Sequence, residues 1–200
     1  MATTPTRDRI MEATAELFRR HGYTGTGIKQ IVAAANAPFG SIYHHFPGGK
    51  EQLGGEVIRS SGEMYFQIFE LIYEMSPDVI TATENFYGGA AETLRQSDYA
   101  DACPIATVAL EVASTNEPLR EATAEVFESW VTRGTERLIE GGIPPDRARP
   151  LIIAMLSLLE GAFVLCRASR TTEALEVAGE LAVAKVREAR AARAGVSSSA

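Results

Sequence analysis

The chain has 200 residues, of which 46% are hydrophobic, which suits one small module plus a second domain of about 150 residues with its own core. Cys103 and Cys166 have neither metal-ligand nor disulfide spacing, which indicates a reducing cytosol and excludes a disulfide-stapled secreted domain. Met1–Thr6 is polar and short, so we expect no secretory signal, and the longest apolar run, Leu151–Cys166, is too short to span a bilayer.

Charge is distributed unevenly along the chain. The formal net charge is −7, yet residues 1–50 hold six basic against three acidic residues, a net +3, which leaves −10 for the remainder. All three histidines also lie in residues 1–50. A basic N-terminal region joined to an acidic remainder is typical of nucleic-acid binding, although an asymmetry of this size also arises by chance.

The N-terminal region predicts three helices. The first spans Arg7–His21 and ends at Gly22. The second opens the segment Thr26–Lys50, TGIKQIVAAANAPFGSIYHHFPGGK, where apolar residues recur at helical spacing from Ile28. We expect the hydroxyl of Thr26 to cap this second helix.

A sharp reversal separates the second helix from a short third one. Asn36 lies at the reversal, and asparagine tolerates a positive φ better than most residues. Pro38 suits the first position of the next helix, where its missing N–H is not needed. Helix, turn and short helix at this spacing form the geometry that inserts a helix into the major groove of DNA.

The segment resembles the DNA-binding domain of the TetR family of bacterial repressors. The family pattern runs roughly T-x-x-x-I-A-x-x-A-G-V-S-x-G-x-L-Y-x-H-F-x-x-K-x-x-L. The matching positions here are Thr26, Ile31, Ala35, Gly40, Ile42, Tyr43, His45, Phe46, Lys50 and Leu53. The stretches Phe46–Leu53 and Cys103–Ala106 also resemble a narrower subgroup, which contains the lincomycin-resistance and flavonoid-responsive repressors.

Two positions depart from the family pattern. Asn36 replaces the usual glycine, which its tolerance of positive φ permits. Phe39 stands where many relatives carry Lys or Arg. A phenyl ring cannot donate a hydrogen bond to guanine, but it can pack on a thymine methyl group.

The resemblance and the helical geometry together give a set of expected DNA contacts: Thr26, Lys29, Ala37, Pro38, Phe39, Gly40, Ser41, Tyr43, His44 and Lys50. Phosphate contacts are expected from Thr26, Tyr43 and His44, and from Lys50 at the start of the fourth helix. The front of the third helix is expected to face base edges. Simpler roles remain open, since Tyr43 could be a core residue and Lys29 a solvated charge.

The rest of the chain also reads as helix, with predicted spans Lys50–Met75, Asp78–Arg95, Pro104–Ala113, a helix capped by Asn116 and ending at Glu140, Asp146–Ser169 and Thr172–Ala194. The sequence therefore predicts an all-α protein of roughly nine helices. Its expected parts are a helix-turn-helix domain (1–49), a helical ligand-binding and dimerisation domain (50–194) and a disordered tail (195–200).

Apolar residues of the second domain are rich in aromatic rings and sulfur, which is compatible with a small-molecule site. The expected lining residues are Met64, Ile68, Phe86, Cys103, Phe127, Trp130, Met155, Leu159 and Phe163. From the subgroup resemblance, the ligand is expected to be a planar or amphipathic aromatic compound. The alternative for each residue is ordinary core packing.

The last two predicted helices suit dimerisation, because the stretch Leu151–Cys166 is apolar nearly all round. The expected interface residues are Leu156, Gly161, Leu175, Ala178, Leu181 and Ala182. A twofold dimer implies a palindromic operator. The alternative is that these residues form a core within one chain.

The sequence thus predicts a cytoplasmic, nucleoid-associated repressor that binds double-stranded DNA as a homodimer and is released by a hydrophobic or aromatic effector. We expect this protein to have no cofactor, no metal ion and no membrane partner. Two alternatives remain, an activator and a DNA-binding regulator or architectural protein without an effector. Enzyme function is not expected, because the chain beyond residue 50 has no histidine for acid–base, triad or metal chemistry.

Overall fold

The computed structural model describes residues 4–101 and 103–197, with side chains placed as far as residue 192. Over these ranges the chain forms helices and connecting turns without a strand, so the all-α prediction is confirmed. The helices are α1 (Thr6–His21), α2 (Ile28–Ala34), α3 (Gly40–His45), α4 (Gly49–Met75), α5 (Val79–Gln96), α6 (Pro104–Val112), α7 (Glu117–Glu140), α8 (Pro145–Ser169) and α9 (Glu173–Ser197).

Local residues explain several helix ends. The carboxylate of Asp78 accepts hydrogen bonds from the first N–H groups of α5, and the side-chain oxygen of Asn116 accepts one from Leu119 in α7. Arg170 adopts a left-handed conformation and closes α8. The last helix continues to Ser197, beyond the start of the tail that the sequence predicts to be disordered; residues 198–200 lie outside the described residues.

The chain divides into two compact units, and each unit combines two stretches that are separate in the sequence. Among the described residues, the first unit comprises 4–64 with 103–126, and the second comprises 65–101 with 127–197. The first unit therefore contains α1–α3 together with α6. The predicted division after residue 49 separates an expected DNA-binding domain from an expected ligand-binding and dimerisation domain, and it stays a prediction.

The second unit is built on a hydrophobic cluster from α4, α5, α7, α8 and α9. Two tyrosines lie inside this cluster with their hydroxyl groups satisfied. The hydroxyl of Tyr87 donates to the carbonyl of Met155 at 2.7 Å, and that of Tyr73 lies 3.0 Å from the hydroxyl of Thr83. Burial raises the pKa of Tyr73 to about 12.

Candidate nucleic-acid interface

Helices α1, α2 and α3 pack against one another around a small apolar core. Its fully buried side chains are Ile10, Phe18, Ile31, Ile42 and Phe46. On α1, Ile10 and Phe18 lie eight positions apart and share one face, while Ile31 and Ile42 mark the inward faces of α2 and α3. The opposite faces are left for solvent or a partner.

The segments that flank α2 follow the sequence prediction at one residue and depart from it at two. Asn36 has a φ of +46°, which confirms the expected left-handed conformation. The prediction that Thr26 caps α2 is wrong, because Gly27 is the cap residue and the Thr26 hydroxyl instead donates to the carbonyl of Gly22 at 2.7 Å. Pro38 precedes the first residue of α3 by two positions, although its carbonyl already accepts from Ser41.

Arg9 of α1 holds the end of α2 in place. Its guanidinium donates to the carbonyls of Ala35 at 3.0 Å and Asn36 at 3.3 Å, and also to that of Thr4 at 2.7 Å. Carbonyl groups at a helix end lack intrahelical donors, so this bonding fixes the turn that orients α3. No sequence motif indicated this role for Arg9.

Lys50, an expected phosphate contact, is engaged within the protein. It lies in the first turn of α4, and its Nζ donates to the carbonyl of Tyr23 at 2.7 Å and lies 4.0 Å from the centre of the Tyr23 ring. Partial burial lowers the pKa of the Lys50 ammonium, and the nearby Glu111 carboxylate opposes that shift. Its contact with DNA stays a prediction.

Glu111 of α6 reaches the turn that follows α1. Its Oε2 accepts a hydrogen bond from the N–H of Thr24 at 2.7 Å. Its Oε1 occupies the space beside Gly22, where an added Cβ would lie only 1.7 Å away. Gly22 has φ +69° and ψ −177°, a conformation that essentially only glycine adopts. Glu111 therefore ties α6 to the helix-turn-helix region within the first unit.

Two exposed aromatic rings lie at α3, Phe39 directly before its first residue and Tyr43 within it. Phe39 is 51% exposed and Tyr43 is 50% exposed, with ring centroids 6.2 Å apart. Gly40 lies between them with no atom within 4 Å of an added Cβ. The exposure of Tyr43 excludes its alternative role as a core residue.

The ten expected DNA contacts thus fall into three groups. Six are exposed, namely Lys29, Pro38, Phe39, Gly40, Tyr43 and His44. Ala37, Ser41 and Lys50 are partly buried. Thr26 is fully buried, so its side chain positions the turn in this structure rather than facing solvent.

The expected ligand-binding residues in the second unit differ in burial. Met155 and Leu159 belong to the buried cluster itself, so the core alternative describes them. Phe86, Trp130 and Phe163 are partly buried and pack against that cluster. These three keep surface that a ligand could cover.

The remaining expected ligand residues lie on helix faces that are less enclosed. The ring of Phe127 meets that of Trp130 edge-on at 5.8 Å, and Ile68 is exposed. Met64 and Cys103 belong to the first unit, where Met64 is exposed and Cys103 begins α6. The binding of a ligand by any of these residues stays a prediction.

The expected dimer residues on α9 need correction. Leu175, Ala178 and Ala182 are buried within the chain, because this face of α9 packs in the second-unit cluster with α5 and α8. Leu181 and its neighbour Val177 lie on the exposed face instead. The intrachain-core alternative therefore holds for three of the four expected α9 residues.

Helix α8 presents a continuous exposed stripe of apolar and small residues. Five members recur every three or four positions, and Leu165 lies next to the last of them: Pro150, Ile153, Ser157, Gly161, Val164 and Leu165. Gly161 is among the expected interface residues, and Leu156 beside the stripe is partly buried. The full helix Pro145–Ser169 is long and apolar enough to cross a membrane. Core helices of water-soluble proteins often meet the same criterion of length and composition, so this is weak evidence for a membrane span.

Comparisons with known proteins agree with this arrangement. Residues 10–57 match the family described as bacterial regulatory proteins, tetR family, and residues 79–181 match the C-terminal domain of LmrA/YxaF-like transcriptional regulators. The chain is similar to the uncharacterized HTH-type transcriptional regulator YxaF of Bacillus subtilis, with 32% identity over 80% of this chain and 83% of the relative. It is also similar to the HTH-type transcriptional regulator LmrA of Bacillus subtilis, with 31% identity over 84% of this chain and 90% of that relative.

A solved structure shows the same fold. The regulatory protein TetR from Rhodobacter sphaeroides superimposes with a TM-score of 0.81 at 20% sequence identity, covering 91% of this chain and 99% of that one. The fold with an N-terminal helix-turn-helix region is therefore confirmed.

Proposed function

The chain belongs to the TetR family of bacterial transcriptional regulators, in its LmrA/YxaF-like group, and we propose that it is a ligand-controlled repressor acting as a homodimer on a palindromic operator. DNA-binding regulation, rather than enzyme activity, is what its relatives share. The observation that carries the proposal is α3, whose exposed face is held in a fixed orientation by the bonds of Arg9 to the preceding turn.

The dimer part of the proposal depends on α8 and α9. The exposed stripe of α8, together with Val177 and Leu181 of α9, forms an apolar surface on the second unit. Uncovered apolar surface of this extent is typical of interaction sites. A twofold pairing of two such helix pairs would bury it and would present two copies of α3 to two half-sites.

The effector part depends on the partly buried aromatic residues of the second unit. Phe86, Trp130 and Phe163 offer rigid apolar surface next to the core, as small-molecule sites usually do. Helix α4 contributes residues to both units, so we assign it as the lever between effector and DNA. Coupling of this kind typically changes DNA affinity by about 1–3 kcal/mol.

The proposal is tested by fluorescence anisotropy of the full chain with the DNA upstream of its own gene, in a salt series and with a panel of planar aromatic compounds. We expect tight, salt-sensitive binding above a scrambled duplex, released by at least one compound. Specific binding that no compound releases would favour the alternative of a regulator or architectural protein without an effector. Transcription in vitro from the same DNA separates repressor from activator.

A further inference from the structure

The two exposed rings on α3 stand out against the rest of the helix-turn-helix region. Among the described residues before Met64, Phe39 and Tyr43 are the only large apolar side chains that are exposed. Other large apolar residues of α1–α3, such as Phe18, Ile31 and Ile42, are fully buried. The exposed large apolar side chains of this region therefore lie together, one directly before α3 and one within it.

Each of the two rings has a neighbour within the protein. The two residues are four positions apart, so their side chains meet on one side of the helix, with planes tilted by 55°. The ring of Tyr43 also lies 3.4 Å from the place that a Cβ on Gly49 would take, at the start of α4. The ring of Tyr43 therefore lies beside both the ring of Phe39 and the start of α4.

The chemistry of the major groove leaves few partners for such a ring. Phenylalanine has no donor or acceptor, and the base edges in the groove present polar atoms, with one exception. That exception is the C5-methyl group of thymine. A phenyl ring placed against the acceptor atoms of guanine would desolvate them without replacing their hydrogen bonds.

We propose that Phe39 determines operator specificity by packing on the C5-methyl group of a thymine in each half-site. This inference depends on the proposed binding of α3 in the major groove, and it adds the identity of a base that the family pattern does not supply. At this position the chain would read thymine, whereas a basic side chain would read guanine.

The test begins with the full chain and a random library of duplex DNA, from which bound sequences are selected and sequenced. In the selected operator, each thymine is then replaced by deoxyuridine, which removes only the methyl group. We expect that replacement at one thymine position in a half-site weakens binding by about fourfold. Replacement at that position in both half-sites should weaken binding by about fifteenfold.

Substitutions at Phe39 assign the effect to this residue. Phe39→Ala should bind thymine and deoxyuridine operators equally, and Phe39→Arg should select guanine at that position. In the wild type, cytosine in place of the sensitive thymine should bind more weakly than 5-methylcytosine. Tyr43→Phe is the matched control, because removing a hydrogen bond to phosphate should weaken both operators alike. Thermal unfolding verifies that each variant is folded.

The possible results separate the inference from the function on which it depends. If an operator is selected but no thymine-to-deoxyuridine change weakens binding, the methyl contact is refuted and DNA recognition stands. If Phe39→Ala keeps the full methyl sensitivity, another residue reads the methyl and the assignment fails. If no sequence is enriched at all, the proposed function fails, and this inference fails with it.

Discussion

Both units of this protein have an apolar core and bonds from charged side chains to backbone carbonyls, but the second unit has more apolar surface exposed. In the first unit, charged side chains bond to backbone groups of turns: Arg9 to Ala35 and Asn36, Lys50 to Tyr23, and Glu111 to Thr24. In the second unit, a large apolar cluster encloses two tyrosines, and further apolar surface on α8 and α9 stays exposed.

This difference corresponds to what each unit has to do. Hydrogen bonds are directional, so the bonds of the first unit fix the angle at which α3 leaves its turn. Apolar packing is not directional, so the cluster of the second unit constrains orientation less strictly than these hydrogen bonds do. We therefore expect substitutions in the first unit to change recognition and substitutions in the second unit to change assembly and stability.

The largest effect is expected from a charge on the exposed stripe of α8. Leu165, which is 62% exposed in the single chain, would become buried in the proposed dimer. In Leu165→Glu, an unpaired carboxylate there should cost about 3–5 kcal/mol of dimer stability. Sedimentation equilibrium should show a monomer, and operator binding should weaken accordingly.

Leu110 provides the matched control for that substitution. It lies on α6 in the first unit and is 79% exposed, so Leu110→Glu introduces the same charge outside the proposed interface. A dimeric Leu110→Glu beside a monomeric Leu165→Glu would locate the interface. Equal behaviour of both variants would contradict it.

An alkaline titration should reveal the buried tyrosines of the second unit. Burial raises the pKa of Tyr73 to about 12, whereas an unfolded chain deprotonates near 10. The stability from the neutral hydroxyl is thus fully present below about pH 10 and is lost as the pH rises towards 12, by about 3 kcal/mol in total.

Urea unfolding at pH 8 and pH 11 checks this expectation. Tyr73→Phe should lose less stability between the two pH values than the wild type. At pH 8 the variant should be nearly as stable, since the hydroxyl of Thr83 keeps its bond to the carbonyl of Val79. An identical loss in both proteins would exclude Tyr73 as the source.

Local sequence patterns were sufficient for the helices and for several of their ends. Asn36, Asp78 and Asn116 act within a few residues of their own position, so their roles are readable from spacing. The bond from Thr24 to Glu111 joins residues 87 positions apart, and no local pattern encodes it. The same holds for the engagement of Lys50 with Tyr23, 27 positions away.

Helix α9 shows a second limit of sequence reasoning. Its apolar residues occupy two faces, one with Leu175 and Ala178 and the other with Val177 and Leu181. Helical periodicity predicts that both faces are covered, but it does not say which is covered by the same chain. Only the packing against α5 and α8 decides this.

The contact between Gly22 and Glu111 gives a prediction of intermediate size. Gly22→Ala places a Cβ in a conformation reserved for glycine and displaces the Glu111 carboxylate, so it should cost about 1–3 kcal/mol in urea unfolding. Glu111→Gln keeps an acceptor for the Thr24 N–H and should cost less. The double variant Gly22→Ala with Glu111→Ala should cost less than the sum of the single changes, whereas strict additivity would show that the two residues act independently.

The smallest effect is expected at Lys29, which tests the charge contrast between residues 1–50 and the remainder of the chain. Lys29 is exposed on α2, so Lys29→Gln should weaken binding of every DNA sequence by less than about 1 kcal/mol. The slope of the logarithm of the binding constant against the logarithm of the salt concentration should fall by about 1 for each phosphate that is no longer neutralised. Lys185→Gln on α9 removes the same charge from the second unit, where Lys185 pairs with Glu188 at 2.8 Å. Because charges beyond a Debye length are screened, only the Lys29 variant should change the slope. An equal change in both variants would mean that the total charge of the protein, rather than a contact made by α2, governs its attraction to DNA.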